Sequence, residues 1–334
     1  MTPNQKIAAL KARLRLPMVA APMFLVSGPD LVVAAAKAGI LGAFPGPNGR
    51  TIDDLRQWFE QIHAELGPLD LPFAFNMITH NSYGRFEDEL ALVREFKPEI
   101  VITALGGPHR VTEAVHSYGG MVFADVNSPA YAKKAIEKGA DGLVLVCAGA
   151  GGHTGHYAMA PFIQEVRQFF DGPLAVGGGI STGDAMLATE TLGADLAYVG
   201  TRFLTAEENM IGDDYRNMVI GSGIEDLVAS KAITGAMGLW MKASIEAAGM
   251  DLSDMDSAAK IDFSGDMHAG TKAWKTVWSA GQGCGVIDRV EPVAAIVDRF
   301  EAEYRAAGQR MADRFAPTAD VQSAPGCSDE PALG

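Results

Sequence analysis

Eight short apolar runs, separated by segments of helical periodicity, recur through the first 203 residues and limit most strongly what this chain can fold into. They are PMVAAPMF (17–24), LGAFP (41–45), PFAFNMI (72–78), IVITALG (100–106), MVFADV (121–126), GLVLVCA (142–148), PLAVGGG (173–179) and LAYVGTRF (196–203). Alternation of such runs with helical patterns marks βα units around a parallel sheet. In SPAYAKKAIEKGAD, Pro129 suits a first helical turn and Gly139 a stop. The endings KAGI, EKGAD and TLGAD repeat one junction, a helix closing on glycine before the next strand. Eight βα units in this length predict an α/β fold of the (β/α)8 TIM barrel type; the alternative is an open sheet with fewer true strands.

After residue 203 the rhythm breaks. The segment EDLVASKAITGAMGLWMKASIEAAGMD reads as helix with apolar residues on more than one side, followed by an aspartate-rich stretch and KAWKTVWSAGQGCGVI. Val293, Ile296, Val297, Phe300, Tyr304 and Met311 then return to one helix face. The expected organisation is a barrel from 14–212 and 284–315, with a helical insertion over 213–283 covering its C-terminal face. Met237, Trp240 and Met241 would bound the substrate from that lid, or simply pack against the barrel. The tail, 316–334, has too little apolar content to pack and is expected to be disordered.

With 334 residues, 48% of them hydrophobic, the chain can bury a large core. A net charge of −14 argues against a nucleic-acid partner, which needs clustered lysine and arginine to displace counterions. Cys147, Cys284 and Cys327 are odd in number, far apart and in no CxxC pair, so they read as reduced thiols. The start has no signal-type apolar core, and no stretch approaches the roughly 20 apolar residues of a membrane span. The expectation is a soluble cytoplasmic protein without a membrane partner.

The chemistry concentrates in LVLVCAGAGGHTGH (143–156), at the C-terminal end of the sixth strand, where barrels carry their active sites. Glycines there, Gly151 among them, let backbone approach a flat or bulky ligand where a Cβ would clash. GGGIS (177–181) and VGTRF (199–203) end the next two strands. Loops in those positions commonly hold a phosphate through backbone N–H groups and a helix N-terminus, so a phosphorylated cofactor or substrate is expected. Any one glycine pair could serve turn geometry alone; their occurrence on consecutive strand ends favours the phosphate. His153 is the best acid/base candidate of the seven histidines, against the plainer reading of a loop histidine. His153 and His156 lack the third and fourth ligands zinc needs, so no metal is expected. No Walker A sequence supports triphosphatase chemistry.

As an ordered set, APMF, FNM, CAGAGGHTG, GGGIS, VGTRF and the late WSAGQG (278–283) resemble the nitronate monooxygenases, formerly called 2-nitropropane dioxygenases. These are FMN-dependent TIM barrels related to the flavin-dependent enoyl-acyl-carrier-protein reductases, and the likeness covers about residues 14 to 311. It implies noncovalent FMN with Pro22 and Met23 against the flavin and Asn76 bonded to it. It places Gly178, Gly179, Gly200 and Thr201 around the phosphate, and Trp278, Ser279, Ala280, Gly281 and Gln282 at the isoalloxazine edge. His153 becomes the active-site histidine. Many relatives carry lysine where this chain has Asp125 beside the cofactor, and the lid offers only Lys242 where relatives are often arginine-rich.

The implied activity is oxidation of alkyl nitronates by O2 to a carbonyl compound and nitrite. The alternative is an NAD(P)H-dependent quinone or enoyl reductase; no GxGxxG follows a strand, but such barrels bind nicotinamide without one. A flavin-free sugar-phosphate isomerase or lyase would want lysine or paired carboxylates at strand ends, where only Asp125 is obvious. A carrier role and a homo-oligomer are both left open by the sequence.

Overall fold

The computed structural model describes residues 1–256 and 276–316. All eight expected strands form: β1 (Met18–Ala20), β2 (Leu41–Pro45), β3 (Phe73–Ile78), β4 (Ile100–Ala104), β5 (Met121–Val126), β6 (Gly142–Val146), β8 (Leu174–Gly177) and β9 (Leu196–Val199), with a short β7 (Gly152–His153) lying outside their sheet. They pair in parallel in that order, and β9 closes on β1 with Tyr198 opposite Val19. That closure decides the barrel over the open sheet.

Side chains from every strand fill the barrel interior, among them Val19, Ala74, Ile102, Phe123, Val144, Ala175 and Leu196. Ile7 and Leu10 join this cluster from α1 (Pro3–Arg13), a helix begun by a Thr2–Gln5 capping box. Lys6 Nζ donates to Gly120 O at 2.9 Å and Asn4 to Asp171 O at 3.1 Å, just ahead of β5 and β8. So α1 plugs the N-terminal end of the barrel. The opposite end, where strands run into loops, is left for a ligand.

Around the sheet stand α2 (Pro29–Lys37), α3 (Ile52–Leu66), α4 (Phe86–Phe96), α5 (His109–Ser117), α6 (Pro129–Glu137), α7 (Met159–Arg167) and α8 (Gly183–Thr191). The last of the ring, α11 (Val293–Phe315), comes after the insertion and packs on α8 and α2. It buries Val293, Ile296, Val297 and Phe300 as its apolar face predicts, but Met311 is 46% exposed because the helix outruns the barrel after Ala307.

The insertion differs from the expectation. It contains α9 (Asp213–Ile220) and α10 (Lys242–Ala247), but the segment read as one helix folds as β10 (Leu227–Ser230) and β11 (Gly238–Met241). These strands pair antiparallel, Leu227 opposite Met241, and β11 pairs in turn with β7, Gly238 opposite His153. Gly235 at φ 79° helps turn the chain between them. A short apolar run fits helix or strand by period alone, and here pairing with distant β7 decides. Trp240, Ile245, Met255 and Val277 make a small core of the lid's own. Among the described residues no helix is long and apolar enough to cross a membrane. The aspartate-rich stretch from 257 and the tail from 317 lie outside the described residues.

Candidate active site

A cavity of about 1540 Å³ opens at the C-terminal ends of the barrel strands under the lid. Pro22, Met23, Asn76, Asp125, Gly151, His153, Gly178, Gly179, Gly200, Thr201, Trp278 and Ser279 all line it, so twelve positions far apart in sequence meet on one surface. Three others do not. Ala280, Gly281 and Gln282 stand behind the wall: Gly281 N donates to Thr201 Oγ1 and Gln282 N to Gly149 O, both at 2.9 Å. A Cβ on Gly281 would lie 2.6 Å from Gly149 O, and one on Gly151 2.6 Å from Gly281 N. The two glycine-rich segments therefore pack backbone on backbone, and only Trp278 and Ser279 of WSAGQG reach the cavity.

One end of the cavity is built from backbone. After β8 the chain passes Gly178 at φ 142° and Gly179 at φ 73°, conformations that L side chains rarely adopt. Gly200 has an ordinary φ of −105°, and a Cβ there would meet nothing nearer than Met23 Sδ at 3.6 Å. Neither strain nor protein packing requires that glycine; the space it leaves belongs to the cavity. Beside it the buried Ser181 Oγ has no hydrogen-bond partner among the described residues. Thr182 caps the N-terminus of α8, accepting from Ala185 N at 3.2 Å. Arg202 turns away to bond Thr205 Oγ1 at 2.8 Å and to pair with Glu291. An anion at this end would meet backbone N–H groups, a hydroxyl and a helix N-terminus and, among the described residues, no cation.

Across the mouth, His153 sits on β7 and not in a loop. Thr154 N donates to Met237 O at 3.0 Å, so the strand bearing the histidine is stitched to the lid. His153 lines the cavity and is exposed through it, while enclosure by low-dielectric walls lowers its pKa below the ordinary value. Water in the open mouth softens that shift and a ligand filling the mouth strengthens it. The imidazole is accordingly held neutral and able to accept a proton at neutral pH. His156 is exposed and does not line the cavity.

The floor carries a polar group that the sequence only half revealed. Asp125 at the end of β5 bonds with Asn76 of β3, yet its Oδ1 has no partner. Burial pushes its pKa up to about 7, against the lowering effect of the Asn76 bond. Tyr198 on β9 is raised well above its ordinary pKa, by burial and then by the Asp125 charge. Tyr198 lay unnoticed inside an apolar run, although inward-facing alternation along β9 could have found it.

The β1 loop bearing Pro22 and Met23 is held by residues the sequence reading missed. Asn48 donates to Met23 O at 2.9 Å and Ser27 O at 2.8 Å, and accepts from Leu25 N at 2.8 Å. Tyr215 stacks on Trp278 at 4.9 Å with an interplanar angle of 10° and accepts from Ser279 N at 3.1 Å. Of the three lid residues expected to bound substrate, only Met237 lines the cavity; Trp240 and Met241 are fully buried. Among the described residues no group of three or more histidine, cysteine or acidic side chains could hold a metal.

The chain is 28% identical over 330 residues to a nitronate monooxygenase of Metarhizium robertsii, covering 86% of this chain and 91% of that protein. It is 27% identical over 219 residues to the 5-hydroxy-7a-methyl-1-oxo-octahydro-1H-indene-4-carboxyl-CoA dehydrogenase of Rhodococcus jostii, covering 66% of this chain but only 60% of that relative's length. In fold it is similar to FabK from Thermotoga maritima, with a TM-score of 0.78 at 23% identity, covering 93% of this chain and 99% of that one. Residues 74–303 match the nitronate monooxygenase family, and the chain belongs to it.

Proposed function

We propose that this protein is an FMN-dependent oxidoreductase that oxidises alkyl nitronates with O2 to a carbonyl compound and nitrite. One observation carries the reading: a single cavity joins backbone left open at Gly179 and Gly200 to His153, whose enclosure favours the neutral imidazole.

The residues present fit the cofactor. The partnerless Ser181 Oγ and the space a Cβ on Gly200 would fill suit its phosphate, while Pro22, Met23 and Trp278 offer apolar surface to a flat ring. FMN, when bound, supplies the electron chemistry, and the protein supplies orientation and proton handling. Asn76 and the Asp125 carboxyl furnish hydrogen-bonding groups on the floor. His153 Nδ1 or Nε2 accepts the proton from the α-carbon of a neutral nitroalkane, or holds an already ionised nitronate in place.

The test is a paired assay on FMN-loaded His153→Asn protein. Neutral nitroalkane turnover should fall by roughly 10² to 10⁴, the usual size of a general-base contribution, and nitronate oxidation much less. Equal losses on both substrates would reject the base and leave a positioning role. Rapid flavin reduction by NADH with none by nitronate would replace the oxidase reading with the reductase.

A further inference from the structure

The cavity exceeds what a cofactor and a small carbon acid occupy: about 1540 Å³, against the roughly 300–1,000 Å³ that hold one drug-sized ligand. Part of that room lies beside α6. Tyr131 and Lys134, spaced i and i+3 on one face of α6, and Lys138, which caps that helix, all line the cavity. Tyr131 is 59% exposed, and Lys134 Nζ lies 5.5 Å from its ring centroid. Neither lysine has a carboxylate within 4.0 Å among the described residues. They are the cavity's lysines, and no arginine lines it among those residues. His109, in the first turn of α5, adjoins Lys138: a Cβ on Gly107 would lie 2.6 Å from His109 Nδ1 and 3.1 Å from Lys138 Cδ. In a chain of net charge −14, two like charges four residues apart repel without a neutralising group, and an anion relieves them.

A second, independent feature points to an apolar part of the same ligand. Leu105, between β4 and α5, holds φ 56° and is 41% exposed; Leu25, after β1, holds φ 61°. Both line the cavity. Left-handed backbone is costly for a side chain of this kind and persists where the surroundings enforce it, commonly at ligand sites. Here it presents two isobutyl groups to the mouth.

We infer that the mouth, from α6 across to the loop after β1, binds an acyl thioester of coenzyme A. Tyr131 stacks on the adenine, Lys134 and Lys138 take the phosphates, and Leu25 and Leu105 contact the acyl chain. The thioester's acidic α-carbon is of the same kind as the carbon the proposed oxidation works on. The direction of the acyl end toward His153 rests on that proposal; the nucleotide site does not.

The experiment titrates octanoyl-CoA into FMN-loaded wild type and a Lys134→Gln/Lys138→Gln double variant by calorimetry at low salt. Affinity should drop at least tenfold in the double variant and also with added salt in wild type, while FMN content stays equal. Octanoyl-pantetheine, which lacks the nucleotide, should bind both proteins alike, and Tyr131→Ala should weaken octanoyl-CoA alone. Unchanged octanoyl-CoA affinity in the double variant overturns the inference, as does no binding by wild type. Loss of FMN from the double variant would assign the lysines to the cofactor and also overturn it. Tighter binding of NADPH, weakened by the same substitutions, would make the site a dinucleotide site and not an acyl one. Wild type purified without flavin would instead count against the proposed oxidation, and octanoyl-CoA titrated into that protein still decides the lysine site.

Discussion

The two ends of the cavity are made in different ways. The end at β8 and β9 uses main chain: Gly179 and Gly200 leave open space at the cavity wall, while Gly178 packs against Ala148 O. The end at β7 uses a side chain, His153, placed by a three-stranded sheet whose other members come from residues 227–241. The first end is local, set within a few residues of the strand that carries it. The second depends on a contact across more than seventy positions of sequence, Gly238 against His153. Cofactor grip and proton transfer should therefore fail separately.

The largest test of that separation is Gly200→Leu. A Cβ there meets no close protein atom, so the folded variant should lose nearly all FMN and melt with flavin-stripped wild type; yellow protein would break the distinction. Next comes Trp240→Ala, which empties the lid core and should cost about 3 kcal/mol or more. The comparison requires that variant to retain FMN yet lose nitroalkane turnover through a loosened β11, and flavin loss in parallel with activity would join the two ends after all.

Asp125→Asn probes the floor between them. A folded-state pKa of about 7 against an ordinary 3.8 means the native protein keeps a proton that the unfolded chain releases. The stability this group contributes is fully present below about pH 4 and is lost as pH rises through about 7. The asparagine variant should flatten the decline over that window and be more stable than wild type at about pH 8 by roughly 1–2 kcal/mol, since water in the mouth screens part of the charge. Denaturant titrations across that range check it, and identical pH slopes would show that Asp125 ionises freely. An effect of similar size, confined to cofactor binding, is expected of Ser181→Ala. Loss of one hydrogen bond to a charged group should weaken FMN by about 1.5–3 kcal/mol and leave His153 chemistry alone, as flavin fluorescence on dilution would show.

The same contrast explains what could be read in advance. The eight barrel strands and the glycine-rich strand ends that line the cavity were legible because a parallel strand is continuously apolar and such glycine runs are plain in the sequence. The lid was not. Residues 227–241 carry no period that separates helix from strand, and what makes them strands is β7, itself only two residues long. Ala280, Gly281 and Gln282 were misplaced for a related reason: a glycine that lets backbone pack on backbone looks in sequence like one that admits a ligand, and only Gly149 O at 2.6 Å from Gly281's absent Cβ tells them apart. Lys134, Lys138 and Tyr131 sit in an ordinary amphipathic helix and showed themselves only when that helix was seen against the cavity.

The pairing of β7 with β11 has a bearing on how such a protein diversifies. Since the hairpin that seats His153 is an insertion and the glycine-rich strand ends belong to the barrel, under the proposed function a replaced hairpin would alter proton transfer while the barrel kept its cofactor. Each intermediate in such a history is a folded, coloured protein awaiting a new reaction, and selection can act on the chemistry without first having to rebuild the scaffold.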